Sequence, residues 1–65
     1  MKEIILYADA TFDLKVRVGD KIEQGDEMGI SADSGDALFS PVKGTIEKIS
    51  FSSEDHTFVI RIIEE

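Results

Sequence analysis

Val18-Gly19-Asp20-Lys21-Ile22-Glu23-Gln24-Gly25-Asp26-Glu27-Met28 sets the same Gly-Asp pair at 19–20 and again at 25–26. Glycine and aspartate suit turns, because one tolerates positive φ and the other bonds its own backbone. The stretch therefore reads as two changes of direction. A strand ends at Val18, Gly19 turns the chain, and Ile22 drops one apolar side chain into the core. Gly25 turns it again, and Met28 and Ile30 begin the next strand facing inward. Corners at this spacing fit a small barrel.

The rest of the chain supports strands. Phe12, Leu14, Val16 and Val18 alternate with Asp13, Lys15 and Arg17, the period-two pattern of a half-buried strand. Ile4 and Leu6 repeat it, with Ile5 and Tyr7 on the other face. Thr45 to Phe51 is β-rich with broken parity: Ile49 and Phe51 share a face that Ile46 does not. Residues 57–63 are dense in β-branched and aromatic side chains. There Phe58, Ile60 and Ile62 are expected inward and Arg61 on the wetter face. Turn signals at Ser34-Gly35-Asp36, at Lys43-Gly44 and over Ser52-Ser53-Glu54-Asp55 separate the runs. No stretch sustains a helical period. Short strands with frequent turns predict an all-β barrel or sandwich.

The ladder is followed by Ser40-Pro41-Val42-Lys43-Gly44-Thr45-Ile46-Glu47-Lys48-Ile49. From about Val16 to Ile49 the chain resembles the biotinyl/lipoyl-domain superfamily. That resemblance implies a flattened barrel-sandwich hybrid of two small antiparallel sheets, with residues 1–65 as one domain. It also implies where a cofactor lysine would stand, on the hairpin about eight positions before the proline. Counting back from Pro41 reaches Asp33, within Ser31-Ala32-Asp33-Ser34-Gly35-Asp36. A carboxylate cannot form the amide that a lysine amine makes with biotin or lipoate. No lysine lies in the hairpin, so no cofactor is expected. Nor does the ladder repeat after the Pro-x-x-Gly strand, as lipoyl domains usually have it. The second half is similar to lysine-free relatives such as the small barrel found in ion-translocating ferredoxin:NAD oxidoreductase complexes. Nothing of that family's cofactors carries over, since the chain has no cysteine and no glycine-rich dinucleotide fingerprint.

The first expectation is thus a non-enzymatic, unmodified structural or docking module. Its candidate docking surface is Asp33, Ser34, Gly35 and Asp36 with Phe39. Leu38 and Phe39 are neighbours on a strand, so one of them faces the core. The other could stand exposed, although the plainer expectation is that a small barrel covers it; Tyr7 and Phe12 are read alike. Two alternatives remain open. One is a true carrier with an atypical attachment lysine, Lys43. The other is a small metal- or ligand-binding protein using His56 and the acidic turns. Against the latter, a lone histidine beside a turn reads first as a surface or loop-bonding residue. Asp20, Asp26, Asp33 and Asp36 read as solvated turn residues without EF-hand spacing.

Acids outnumber bases 14 to 7, a formal charge of −7. Nucleic-acid phosphates and anionic lipids would repel such a chain. No segment approaches the roughly 20 apolar residues of a membrane helix, and the apolar run after Met1 is too short for a signal peptide. The expectation is a cytoplasmic protein. A domain of this size without cysteine relies on packing or on a partner. An unknown protein partner or a homo-oligomer that covers sheet edges is therefore expected.

Overall fold

The computed structural model describes residues 2–65. Six strands follow in chain order: β1 (Glu3–Asp9), β2 (Lys21–Ile22), β3 (Glu27–Ile30), β4 (Ala37–Phe39), β5 (Gly44–Ser52) and β6 (Thr57–Glu64). All pairings are antiparallel. The order β1-β6-β5-β2 makes one curled sheet, and β3-β4 makes a second, smaller one. The described residues contain no helix. This is the all-β arrangement that the short strands and frequent turns predict, and it is consistent with the flattened barrel-sandwich that the resemblance implies.

The sheet's inner face can be read from its register. Opposed residues in an antiparallel pair share a face. Ile4, Leu6 and Ala8 of β1 stand opposite Ile62, Ile60 and Phe58 of β6. These in turn stand opposite Ile46, Ile49 and Phe51 of β5. Ala8, Ile22, Met28, Ile46, Ile60 and Ile62 form the buried core, with Ile4, Leu6, Leu14, Val16, Leu38, Val42, Ile49 and Phe58 packed around it. The broken parity of Thr45–Phe51 now has a cause. The register shifts between Ile46 and Lys48, a β-bulge at Glu47. One extra residue lets Ile46 share the inner face with Ile49 and Phe51. The expected split of Ile46 from the other two is corrected accordingly.

A second correction concerns Phe12–Val18, which is not a strand. Leu14 and Val16 do pack on the core, so the alternation is real. The segment is an irregular connection tied to β3 where Lys15 N–H donates to Met28 O at 2.9 Å. Its ends are taken by turns. Phe12 N–H closes onto Asp9 O (3.3 Å) and Asp20 N–H onto Arg17 O (3.1 Å). Phe12 and Val18 are consequently 51% and 59% exposed.

The Gly-Asp repeats form two copies of one device. In the first, the Arg17–Asp20 turn is closed a second time when Arg17 N–H donates to Asp20 Oδ2 (2.8 Å). In the second, Asp26 N–H donates to Glu23 O (3.1 Å) and Glu23 N–H to Asp26 Oδ2 (2.8 Å). Gly19 and Gly25 have φ of 95° and 92°, and no residue between them has positive φ. That is the type II turn, whose third position needs glycine. Each turn then docks through its Gly-Asp backbone. Gly19 N–H donates to Ile46 O (2.8 Å) and Ile46 N–H to Asp20 O (2.9 Å). Gly25 N–H donates to Ser40 O and Ser40 N–H to Asp26 O, both at 2.8 Å. The ladder thus clasps both ends of the Ser40–Ile46 strap. Ser40 is buried and its hydroxyl donates to Val42 O (2.6 Å), which folds the strap around Pro41.

Gly44 differs from the expected turn residue. It opens β5 with no positive φ. A Cβ there would lie 2.2 Å from Ile63 O, so the position requires glycine for space.

Candidate functional site

The candidate site is the β3–β4 hairpin and its tip, residues 31–36. Ser31 N–H donates to Asp36 O (2.7 Å) and Gly35 N–H to Ser31 O (3.0 Å). Two hydroxyls finish the tip: Ser31 Oγ accepts from Asp33 N–H (3.3 Å), and Ser34 Oγ from Asp36 N–H (3.2 Å). Gly35 takes φ 75°. Asp33 falls in the turn itself and is exposed, as are Ser34, Gly35 and Asp36. Neither the Asp33 nor the Asp36 carboxylate has a hydrogen-bond or ion-pair partner among the described residues.

The tip does not stand away from the barrel. Ala32 N–H donates to Tyr7 O (3.2 Å), and Ser31 bridges Ala8 of β1. This strap brings Asp33 to an open cleft of about 330 Å³, lined by Tyr7, Ala32, Asp33, Asp55 and Thr57. Nothing in the local spacing of either segment signals that Asp33 and Asp55 share a cleft, because the two are joined only through β1.

Phe39 lies at the other end of β4, opposite Glu27. It is 55% exposed, whereas Leu38 packs on the core. The expectation that the barrel covers both is corrected. Leu38 takes the inward position, and Phe39, its neighbour on the strand, points to the other face. Phe39 and the tip are therefore two surfaces separated by the length of β4. Tyr7 and Phe12 are exposed as well. Near Phe39, Lys15 Nζ pairs with Glu27 Oε2 at 2.6 Å.

His56 occupies the β5–β6 turn with φ 51°, the one non-glycine residue with positive φ among those described. Its carbonyl accepts Ala10 N–H (3.0 Å), and its ring meets Phe51 edge-on at 5.7 Å. Asp9 lies nearby, and its carboxyl is held below its ordinary value. The chief cause is the Thr11 backbone N–H, which donates to Oδ1 at 2.9 Å. The Thr11 hydroxyl adds to this, and the charge of His56 adds less, against a small opposing desolvation. Among the described residues, no group of three or more His, Cys, Asp or Glu side chains gathers as a metal site.

Lys43 is exposed at the start of β5, where its carbonyl accepts Glu65 N–H (2.9 Å). Gly44 and Ser52 are the two ends of β5, and Thr57, beside the tip's cleft, pairs with Ser52. Lys43 thus lies at the opposite end of the sheet from the hairpin tip. No helix among the described residues is long and apolar enough to cross a membrane. Comparison with family models, with curated proteins and with solved structures found no match.

Proposed function

We propose that the chain is an unmodified, non-enzymatic biotinyl/lipoyl-like module that serves a larger assembly by docking. The hairpin tip and the exposed Phe39 are its contact surfaces. The observation that carries this reading is the tip. Where a carrier of this type displays its lysine stands Asp33, on a turn whose backbone is strapped to Tyr7 and Ala8. A swinging arm needs an amine to acylate and a projecting turn to present it, and this tip offers neither. What it offers is two exposed carboxylates with no partner among the described residues, Asp33 and Asp36, the first of them in the cleft that Tyr7 also lines. On this reading the module is cytoplasmic, binds neither nucleic acid nor membrane, and meets a protein.

Intact-mass spectrometry of protein from its native host tests the proposal. The expected mass is that of the unmodified chain. A biotinyl or lipoyl increment overturns it. An increment that disappears in Lys43→Arg would make the chain a carrier with an atypical lysine.

A further inference from the structure

The edge strands of the two sheets are finished differently. β2 has two residues and β4 three, and short edge strands are poor templates for pairing. β1 has seven, pairs with β6 without a bulge, and contains no proline or lysine. Its middle is Ile4-Ile5-Leu6-Tyr7. Proline, lysine and a bulge, three of the usual edge defences, are therefore absent from it.

The hydrogen bonds say which of its groups are open. Lys2 O accepts Glu64 N–H and Ala10 N–H meets His56 O, so the even residues bond toward the β6 side. Tyr7 O accepts from Ala32, so the odd residues point to the outer edge. Ser31 and Ala32 cover that edge at Tyr7 and Ala8. This leaves the N–H and C=O groups of Glu3 and Ile5 facing outward without a partner among the described residues.

We infer that this edge pairs with β1 of a second copy, antiparallel, about a twofold axis at Ile4. In that register Glu3 and Ile5 of one copy exchange both backbone hydrogen bonds with Ile5 and Glu3 of the other. The open groups are thereby consumed among themselves. Inner faces meet inner faces, because the opposed residues have the same parity. On the outer face Ile5, 38% exposed, then lies beside the other copy's Glu3, and the two copies' Ile5 side chains sit diagonally across the axis.

Charge selects a second copy as the occupant. Ile5 stands opposite Arg61, and Arg61 opposite Lys48. The pairing sets the other copy's Glu3 at the end of that same row, beside Ile5 and one strand away from Arg61. Within one copy Arg61 already pairs with Glu3, and its Nε lies 3.0 Å from Glu47 Oε1 but makes no hydrogen bond. The acids at the far end of β1, including Asp9, Asp33 and Asp55, are sent to opposite ends of the dimer. A chain of charge −7 meets itself here with least repulsion.

The pairing is independent of what the hairpin docks. A cofactor increment would overturn the module reading and leave the dimer standing, and loss of the dimer would do the reverse. The test is sedimentation velocity of the protein across micromolar to millimolar concentration, with edge variants. Ile5→Pro removes only an outward N–H and spares the β1–β6 ladder. It is expected to weaken dimerisation at least tenfold while the far-ultraviolet spectrum stays that of the wild type. If Ile5→Pro unfolds, Ile5→Lys supplies the same readout. Phe39→Ala, on the other edge, should leave the dimer intact. The chain has no cysteine, so Ile4→Cys reports the register directly. Cα atoms of a non-hydrogen-bonded pair lie about 4.5 Å apart, which a disulfide spans. Ile4→Cys should oxidise to a covalent dimer and Leu6→Cys should not, since its copies lie roughly 13 Å apart along the strands. A wild type that stays monomeric at millimolar concentration overturns the inference. So does a folded Ile5→Pro that dimerises as before, a Phe39→Ala that does not, or a Leu6→Cys that crosslinks as readily as Ile4→Cys.

Discussion

Gly-Asp occurs three times in this chain, and the three copies do different work. At Gly19-Asp20 and Gly25-Asp26, each carboxylate accepts the N–H three residues back, and each backbone docks on the Ser40–Ile46 strap. At Gly35-Asp36, the Asp36 N–H is taken by Ser34, and the carboxylate has no partner among the described residues. The glycines behave alike, all with positive φ. The difference lies in the residue before them and in what lies alongside. The ladder turns run beside a strand with unmet groups, while the tip turns back on its own hairpin. A dipeptide therefore encodes a corner, and its surroundings decide whether the aspartate holds the fold or meets solvent.

The clasp is broken most severely from its receiving side. Gly44→Ala puts a Cβ against Ile63 O, which belongs to backbone and cannot swing away. β5 must leave β6 or shift its register. Loss of the cooperative thermal transition is the expected result, followed by circular dichroism. Retention of a wild-type midpoint would show that the strap is looser than its hydrogen bonds suggest.

The carboxylates come next. Asp20→Ala and Asp26→Ala each remove one side-chain bond that closes a turn, about 1 kcal/mol apiece. In a domain of this size that lowers Tm by about 4–8 °C per substitution. Asp33→Ala and Asp36→Ala should stay within about 0.5 kcal/mol of wild type, as surface changes do. Urea midpoints for the four variants test the contrast, and equal losses at all four positions would erase it.

The smallest effect is at Asp9, a third kind of aspartate, bonded to Thr11 beyond the end of β1. Its carboxyl is depressed in the folded state, so the folded chain binds that proton less readily than the unfolded one. The stabilisation is complete above the unfolded value and fades as pH falls through the folded one. Asp9→Asn should therefore lower Tm slightly at neutral pH, with the difference shrinking as pH falls through the folded-state value of the Asp9 carboxyl. A difference that grows on acidification would contradict this.

The ladder was open to a linear reading because its parts are local. A type II turn with its closing aspartate spans four residues, and each residue type has its own reason to be there. The candidate hairpin was legible only as a position. Asp33 falls in the β3–β4 turn, within the Ser31–Asp36 stretch read as a hairpin, but the strap to Tyr7, the shared cleft with Asp55 and the exposure of Phe39 all depend on strands distant in sequence. Phe12–Val18 makes the same point in reverse. Alternation reports which side chains face the core, and Leu14 and Val16 do. It does not report whether a neighbouring strand is in place to pair.

By itself the sequence determined an all-β chain, the corners at Gly19, Gly25 and Gly35 and the inward row of β6, because glycine conformation and period-two burial act within a few residues. The tertiary structure alone decided the rest. It placed the bulge at Glu47 that returns Ile46 to the core face, it made Gly44 a matter of space, and it left one edge of β1 open. Those outcomes follow from which backbone groups meet across the barrel, and hydrogen-bond partners between distant strands are set only when the whole chain closes.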